Sequence, residues 1–597
     1  MCGLFGIAGP LPTESRLQLE PALQALTSRG PDDHGFFADD HLRLIHTRLA
    51  IQDLSGLGHQ PMQTLDGGLV LVFNGEIYNA PSLRESLKAE GEAFRSGSDT
   101  EVILLGYRRW GDAIWPQLDG IFACALWDRH QRLLTLARDP LGIKPLLWSE
   151  TAEGLVFASE LSAIVAAGCR APIDAAALQG YALWGAFAQP QTILKDVHAF
   201  PPGAVGHWHP GGRVILGNLR GVPCPMPLSA PTVIPSTPQQ AVEGVRERLH
   251  QAVLSQTIGD VPVGSFLSGG LDSGILTALL QDCRSEPVCT LSVGFLGVPG
   301  AVDETERAKA TAEHLGTDHH AVQLGPAELD GLFDTFLEAI DQPSIDGFNT
   351  FVVAQAAHLL GLRVAFSGLG ADEVFAGYGH FQQHHQAMAE PGPVWAGRLP
   401  VQVLRLAGWQ LQAYRLRGLA AALDLRQIPF SGLPPSTIAS LVASRLDRAE
   451  DLAGLELAGY LRDTLLRDTD AVTMHWGLEV RVPFLDQELV RYCLALPAAW
   501  HLADGPKTLL RQAFAERLPA GHSQMAKTGF NLPLGPWLLS HSRFHPARIA
   551  GLLKPLGISR RVVLASWLYC RLQPQRWQPY WRWVVLAEWC ALNKRLA

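Results

Sequence analysis

Cys2 and Gly3 directly follow the initiator methionine, so removal of Met1 would leave a thiol and a free α-amine on one residue. The reference pKa is about 7.7 to 8.0 for an α-amine and about 8.5 for a thiol. At neutral pH the amine can therefore take the thiol proton as an intramolecular base, which is chemically sufficient for nucleophilic attack. Taken alone, an accidental cysteine at position 2 is the better interpretation, so the neighbouring segments must decide.

A second segment that could do chemistry is SGGLDS, Ser268 to Ser273, which lies between the apolar run VPVGSFL and the helical stretch GILTALLQ. A glycine pair between a strand and a helix lets backbone N–H groups approach an anion, and the helix N-terminus adds a favourable dipole. The pattern predicts a phosphate-binding loop, with a plain glycine-rich turn as the alternative. Because no G-x-x-x-x-G-K-S/T motif occurs, a Walker-type γ-phosphate site is excluded.

At least two domains must position these segments, because 597 residues exceed the size of one hydrophobic core. Six prolines within residues 221–238 cannot sustain a helix or a central strand, which indicates a linker. We therefore predict a first domain at 1–210, a linker at 211–237 and a second domain at 238–597. Short β-type runs predict a β-rich first domain and lie at 42–51, 68–78, 121–128, 132–138, 154–159 and 204–209.

The second domain alternates apolar runs with helical stretches, and the runs lie at 261–268, 288–295, 319–324 and 362–368. This alternation predicts β-α-β units and a parallel sheet, followed by a mostly helical part from about Gln382. Thr237 and Pro238 open the first helix in the preferred order of N-cap and N1 proline. The fold class predicted for the chain is thus α/β and α+β in two domains.

Composition excludes several classes of function. The formal net charge of −9 lacks the concentrated positive charge that nucleic-acid binding requires. Nine cysteines without a C-x-x-C pair favour a reducing compartment over a disulfide framework or a zinc site. Neither a signal peptide nor a spanning apolar stretch is recognisable, so we expect a cytoplasmic protein with small-molecule partners, no nucleic acid and no membrane, and leave a homodimer open.

Six ordered segments of the first domain resemble the glutaminase domain of class II glutamine amidotransferases, a family with N-terminal nucleophiles. They are MCGLFGIAG, RGPDDHG, HTRLAI, NGEIYN, SDTE and RDPLGIKP. The resemblance implies an αββα sandwich of two antiparallel sheets. It also implies that Cys2 attacks the glutamine amide and that Asn74 and the Gly75 N–H form the oxyanion hole. The glutamine-binding residues that it implies are Arg48, Glu76 and Asp99.

The loop SGGLDS resembles the pyrophosphate loop of ATP pyrophosphatases, and further segments resemble the synthetase domain of B-type, glutamine-hydrolysing asparagine synthetases. These segments are SVGF with DET, SGLGADEVFAGY, MHWGLEVRVPFLD, and GPKTLLR with AKTGF. The resemblance implies ATP and Mg²⁺, with Asp272 and Asp372 as metal ligands, and assigns Lys527 and Glu373 to catalysis. The ATP-binding residues that it implies are Leu267, Ser268, Gly269, Gly270, Asp272, Ser273, Val293, Ser367 and Gly368. We assign Arg481 and Asp486 to architecture first.

The implied reaction converts aspartate, glutamine and ATP to asparagine, glutamate, AMP and pyrophosphate through a β-aspartyl-adenylate. Two departures from the family pattern bear on the acid. Leu369 stands where well-known synthetases have an acidic residue, and DQPSIDGFNT (341–350) lacks the family's I-P-T. A second hypothesis therefore keeps the mechanism but amidates another carboxylate, such as a peptide-like metabolite. A third is a catalytically silent binding protein of the same fold.

Overall fold

A computed structural model describes residues 2–9, 17–152, 154–218, 234–295, 304–379, 381–382, 385, 450–519, 521–522 and 534–593. Its first half contains twelve described strands: β1 Cys2–Ala8, β2 Asp33–Ala38, β3 Leu42–Arg48, β4 Met62–Gln63, β5 Leu69–Ile77, β6 Gly120–Asp128, β7 Leu133–Arg138, β8 Leu147–Thr151, β9 Gly154–Ala158, β10 His198–Ala199, β11 Ala204–Trp208 and β12 Ile215–Asn218. They form two antiparallel sheets, in the orders β10-β8-β9-β1-β3-β2 and β12-β11-β7-β6-β5-β4. Strand β12 lies within the range predicted as a linker.

The two sheets face each other and are covered by helices on their outer sides. These helices are α1 Leu19–Leu26, α2 Ala80–Ala89, α3 Asp99–Trp110, α4 Leu161–Ala166 and α5 Ala175–Trp184. Apolar side chains of both sheets fill the space between them, while α2 and α3 pack on the outer face of the second sheet. Every residue of β1 is buried because both of its faces are covered, which explains why it shows no alternating pattern. The predicted αββα fold is confirmed.

The second half contains a parallel sheet in the order β15-β14-β13-β16-β17. Its strands are β13 Val263–Phe266, β14 Cys289–Phe295, β15 Asp318–Leu324, β16 Val364–Phe366 and β17 Glu479–Arg481. The accompanying helices are α6 Pro238–Ser255, α7 Leu271–Asp282, α8 Thr305–Leu315, α9 Pro326–Ala339, α10 Phe348–Leu359 and α11 Ala371–Val374. Thr237 caps α6 as predicted, accepting a hydrogen bond from the Gln240 N–H at 3.3 Å. Strand β17, only three residues long, was not predicted.

The remaining described part of the chain is helical, as the sequence predicts. It comprises α12 Glu450–Glu456, a π-helical segment Leu457–Leu466, α13 Arg467–Met474, α14 Gln487–Leu494, α15 Ala498–Leu502, α16 Thr508–Phe514, α17 Leu534–Ser540, α18 Pro546–Leu553, α19 Arg560–Leu572 and α20 Gln578–Leu592. Within the described ranges, no helix combines the length and apolar character needed to cross a membrane.

The two halves share their hydrophobic cores. Phe5 and Ile7 on the first sheet belong to one apolar cluster with Phe333 on α9 and Trp581 on α20. A second cluster joins first-domain residues to the packing beneath the parallel sheet. Polar contacts add to these, since the Tyr181 hydroxyl donates to the Arg582 carbonyl at 2.8 Å. The two domains therefore form one packed body.

Candidate active site

Cys2 is the first residue of β1 and lies opposite Arg48 in the register of β1 with β3. Its side chain is buried. Its backbone nitrogen donates to Asn74 Oδ1 at 2.9 Å. Burial raises the pKa of the thiol, while a hydrogen bond from the Leu49 backbone and the charge of Arg48 act in the opposite direction. The thiol and its own nitrogen thus lie in an enclosed polar site at the beginning of β1, a central strand of the first sheet.

Asn74 and Gly75 lie on β5, in the second sheet. The Asn74 side chain contacts Cys2, the first residue of β1 in the first sheet. Within the described part of the chain, Asn74 Nδ2 is buried without a hydrogen-bond partner. A buried donor without a partner is costly, so an acceptor is expected there. Gly75 is required by close packing, because a Cβ at this position would lie 2.1 Å from the Ile121 carbonyl oxygen. Both residues therefore lie where an oxyanion beside Cys2 could be bound.

Arg48, at the end of β3, organises the loop that follows it. Its guanidinium donates to the Ser55 carbonyl at 3.0 Å, the Gln52 carbonyl at 3.2 Å and the Asp53 carbonyl. Gly58 is packed on this group, since a Cβ there would lie 2.0 Å from Arg48 Nη2. In this structure Arg48 thus shapes the pocket wall, and carboxylate binding by Arg48 remains a prediction.

Glu76, on β5, and Asp99, the first residue of α3, are both buried. Asp99 Oδ2 accepts the Ile77 N–H at 3.0 Å, and burial raises the pKa of Asp99 to about 6. Glu76 accepts from the Gln52 side chain, and its other oxygen lies 3.1 Å from Arg481 Nη2. Burial and the charge of Asp99 raise the pKa of Glu76 well above its ordinary value, and Arg481 opposes them. The two carboxylates predicted to bind an ammonium group are thus brought together.

An open cavity of about 560 Å³ adjoins these residues and is bounded by both domains. The first domain contributes the loop around Gln52 and Asp53, with Gly97. The second contributes Ile258 to Asp260, just after α6. Gln52 lines the cavity and also donates to Glu76, so the cavity lies beside the predicted glutamine site. We call it the glutamine cavity.

The predicted phosphate loop joins β13 to α7. Leu267 continues the strand, its N–H donating to the Leu291 carbonyl at 2.8 Å. Gly269 has a φ of +68°, and a Cβ there would lie 2.8 Å from the Arg307 Cβ, so glycine is required. The Ser273 hydroxyl accepts the Ser268 N–H at 3.2 Å and fixes the turn. Helix α7 begins at Leu271 rather than at Gly274 as predicted, so its N-terminus lies within the loop.

The loops after two neighbouring strands meet at this point. Ser367 and Gly368 follow β16, and a Cβ on Gly368 would lie 3.0 Å from the Asp272 Cβ. Because the carboxyl ends of parallel strands share one edge of the sheet, this is where such folds bind ligands. Val293 lies on the adjacent β14 and is buried in the core. The predicted ATP-binding residues in the loops after β13 and β16 thus lie together, while Val293 on the neighbouring β14 is buried in the core.

Lys507 is the residue of this site that sequence reasoning missed. Its Nζ lies 2.5 Å from Asp272 Oδ2 and 2.7 Å from Asp372 Oδ1, and its side chain is only 8% exposed. Burial lowers the pKa of Lys507, but the two carboxylates outweigh burial and the pKa is raised. The motif GPKTLLR contains this lysine, which was the available signal. Lys527, to which we assigned the catalytic charge, lies outside the described residues.

Asp272 and Asp372 can be tested as magnesium ligands by their chemistry. Both approach the same ammonium group, so one cation is within reach of both carboxylates. Carboxylate and phosphate oxygens are the donors that Mg²⁺ prefers. The residues therefore fit a magnesium ion that also binds phosphate. Among the described residues, no group of three or more candidate metal ligands occurs, so phosphate would have to complete the site.

Glu373 lies next to Asp372 on α11 and is buried. Its Oε1 accepts the Tyr378 hydroxyl at 2.6 Å. Burial and the charge of Asp372 raise the pKa of Glu373 to about 7, a value suited to proton transfer near neutral pH. Leu369 is half-buried and packs against the apolar core under the sheet.

The segment 341–350 begins at the domain interface. Asp341 accepts the N–H groups of Leu161 and Ser162 at 2.9 Å each, at the N-terminus of α4. Gln342 Oε1 accepts the Ile193 N–H at 2.9 Å. The first two side chains of this segment therefore bind the backbone of the first domain.

Comparisons with known proteins give one family match in each half of the chain. A family model described as a glutamine amidotransferase domain matches residues 1–215. A second model, described as asparagine synthase, matches residues 244–590. These two matches correspond to the two clusters of site residues.

Individual relatives cover most of the chain. Asparagine synthetase (glutamine-hydrolyzing) 1 of Bacillus subtilis is 29% identical over 574 residues, 90% of this chain and 88% of that protein. Asparagine synthetase (glutamine-hydrolyzing) 3 of the same organism is 29% identical over 545 residues, with 87% and 85% covered. Amidase chyE of Penicillium rubens is 32% identical over 394 residues, 63% of this chain and 57% of that protein.

Proposed function

Because the chain belongs to the asparagine synthase family and carries a glutamine amidotransferase domain, we propose that it makes asparagine from aspartate, glutamine and ATP, releasing glutamate, AMP and pyrophosphate. Glutamine-dependent amide synthesis of this type is the activity of its relatives by name. The observation that supports the ATP-dependent step most directly is Lys507 between Asp272 and Asp372, beside the Ser268 to Ser273 loop.

In the proposed glutaminase step, removal of Met1 converts the backbone nitrogen of Cys2 into an α-amine. This amine takes the thiol proton, and Cys2 Sγ attacks the side-chain amide carbon of glutamine. The oxyanion is bound by Asn74 Nδ2 and the Gly75 N–H, which is supported by the missing partner of Nδ2 in the described structure. Ammonia leaves with the returned proton, and water then hydrolyses the thioester to glutamate.

In the proposed adenylation step, the β-carboxylate of aspartate attacks the α-phosphorus of ATP and pyrophosphate leaves. The N–H groups of the glycine loop and the N-terminus of α7 bind phosphate oxygens. The Lys507 ammonium, already held in place by two carboxylates, stabilises the charge that develops on the transferred phosphate. Asp272 and Asp372 would hold Mg²⁺, which when bound neutralises charge on the pyrophosphate.

In the last step, ammonia attacks the acyl carbon of the adenylate and AMP leaves. The attacking nitrogen must lose a proton, and Leu369 cannot accept one. Glu373 lies four residues further along the chain, next to the proposed metal ligand Asp372, and its raised pKa of about 7 supports a role as the base. The aspartyl-adenylate is therefore compatible with the residues present even though the acidic residue of other synthetases is missing.

The second candidate function keeps both half-reactions and amidates a different carboxylate. Two observations favour it: Leu369 is apolar where well-known synthetases have an acidic residue, and Asp341 and Gln342 bind backbone groups at the domain interface. The similarity to a relative named as an amidase rather than an asparagine synthetase is compatible with this candidate.

The test is to incubate the purified protein with glutamine and Mg-ATP, with and without aspartate, and to measure asparagine, AMP and pyrophosphate. Asparagine formation that requires aspartate supports the first candidate. Pyrophosphate release with another acid from a panel, but not with aspartate, supports the second. Absence of pyrophosphate release with every acid would refute both and favour a catalytically silent protein.

A further inference from the structure

Arg481 joins the parallel sheet to the glutamine pocket. It lies on β17 and is fully buried. Its Nε lies 2.7 Å from Glu479 Oε1, and its Nη2 lies 3.1 Å from Glu76 Oε2, in the other domain. Its own carbonyl accepts the Ser367 N–H at 2.9 Å. The backbone of Arg481 is therefore fixed by the nucleotide-binding sheet, while its side chain reaches the glutaminase domain.

The same guanidinium also holds the loop that closes the cavity. Nη1 of Arg481 donates to the carbonyls of Gln256 and Ile258, at and just beyond the C-terminus of α6. A cation is favourable at this position because helix C-termini present unpaired carbonyl groups. The loop next contributes Asp260, whose N–H donates to the Ile51 carbonyl at 2.8 Å.

The Asp260 carboxylate completes the connection to the loop that Arg48 shapes. Its Oδ2 accepts the Asp53 N–H at 3.0 Å, and Asp53 Oδ2 accepts the Gly97 N–H at 2.7 Å. Asp53 has a φ of +54°, a conformation that non-glycine residues adopt only when it is held by their surroundings. The second domain therefore supplies part of the wall of the glutamine cavity and holds the facing loop in place.

We propose that Arg481 is a positioning residue for the glutamine reaction, acting across the domain interface by holding Glu76 and the 256–260 loop. This inference rests on the proposed glutaminase function of Cys2. Arg481 itself touches neither glutamine nor the reacting atoms. Its effect is expected in the affinity for glutamine rather than in the use of free ammonia, because its side chain binds Glu76 and the carbonyl of Ile258, a residue that lines the cavity beside the predicted glutamine site.

The charges around Glu76 give the proposal a pH signature. Asp99 on α3 and Glu479 on β17 disfavour ionisation of Glu76, while Arg481 and the positive amino terminus favour it. To bind the ammonium group of glutamine, Glu76 must be ionised. Removal of Arg481 therefore raises the pKa of Glu76, and the acidic limb of kcat/KM for glutamine moves to higher pH.

The experiment measures glutamate release from glutamine, and amide formation from ammonium, in the full-length protein. Arg481→Met should raise KM for glutamine about 10- to 100-fold, the usual effect of losing hydrogen bonds to charged groups. The acidic limb should move to higher pH, while the kinetics with ammonium stay within about twofold of wild type. Arg481→Lys should restore part of the affinity, since it retains the charge but not the fork geometry.

Two further variants keep the test decisive. The double variant Arg481→Met/Glu479→Met removes both charges of one buried ion pair. It therefore leaves no unpaired Glu479 charge that could prevent folding. Arg517→Met, in an exposed ion pair with Asp282, is the matched control and should behave as wild type.

Unchanged KM and pH profile in the Arg481 variants would overturn the proposal. An equal fall of the glutamine and ammonium reactions in all three variants would overturn it too, because it would make Arg481 a general structural residue. A wild-type protein that hydrolyses no glutamine would instead refute the proposed function itself, and this inference with it.

Discussion

Replacing Lys507 with methionine is the sharpest test of the proposed adenylation site. The ammonium group contacts two carboxylates at 2.5 and 2.7 Å and is 8% exposed, so it is held in place before substrate binds. Loss of one preorganised charge-stabilising group typically lowers a rate by about 10² to 10³. We expect Lys507→Met to lower acid-dependent exchange of labelled pyrophosphate into ATP by that factor.

The assay needs controls for folding and for the competing lysine. Glutamate release from glutamine reports on the first domain and should persist in Lys507→Met. Lys554→Met, at an exposed position on the second domain, should leave the exchange unchanged. Lys527→Ala tests the residue that the sequence resemblance favours, and we expect a smaller loss than for Lys507→Met.

One result would refute this reasoning. If Lys507→Met retains wild-type exchange while its glutaminase activity is intact, the buried ammonium serves only to neutralise Asp272 and Asp372. A loss of 10² or more in Lys527→Ala alone would then return the catalytic charge to the position predicted from sequence.

Three other predictions follow from the same sites. Cys2→Ala should abolish glutamine hydrolysis and leave synthesis from ammonium largely intact. Mass spectrometry of active wild-type protein should show that Met1 is absent, and retention of Met1 would contradict the free-amine mechanism. Leu369→Glu should leave pyrophosphate exchange measurable, because the leucine does not belong to the Lys507 cluster; loss of exchange would show that it does. Burial raises the pKa of Glu373 from 4.5 to about 7, so the folded state favours the protonated side chain. Ionisation of Glu373 therefore destabilises the folded protein progressively as the pH rises from about 4.5 to about 7. Relative to wild type, the unfolding free energy of Glu373→Gln should therefore rise by up to about 3 kcal/mol between about pH 4 and pH 7, as measured by urea denaturation. If the difference in unfolding free energy between variant and wild type is the same at both pH values, the buried, protonated state of Glu373 is wrong.

The sequence predicted features whose signal is local. The helix that begins at Pro238 follows from a proline next to a capping threonine, and the glycine loop follows from its position between a strand and a helix. The αββα fold came from the ordered motifs of the family rather than from periodicity, because β1 is buried on both faces and shows no alternation.

Contacts between residues that are far apart in the chain could not be predicted from the sequence. Lys507 and Asp272 are 235 residues apart, and a lysine before a helical stretch ordinarily predicts exposed charge. Arg481 and Glu76 are separated by 405 residues. The sequence assigns Arg481 to architecture but does not identify Glu76 as its partner, since partners across an interface are determined by tertiary packing alone.

The apolar cluster that joins the first sheet to α20 also has a consequence for biosynthesis. Phe5 and Ile7 emerge from the ribosome early, whereas Trp581 emerges about 360 residues after Asn218, the end of β12. At about 5 to 20 residues per second, translation takes roughly 20 to 75 s to cover that distance. For that time the glutaminase sandwich lacks the helix that completes its outer face, so the nascent chain should need chaperone protection until synthesis ends.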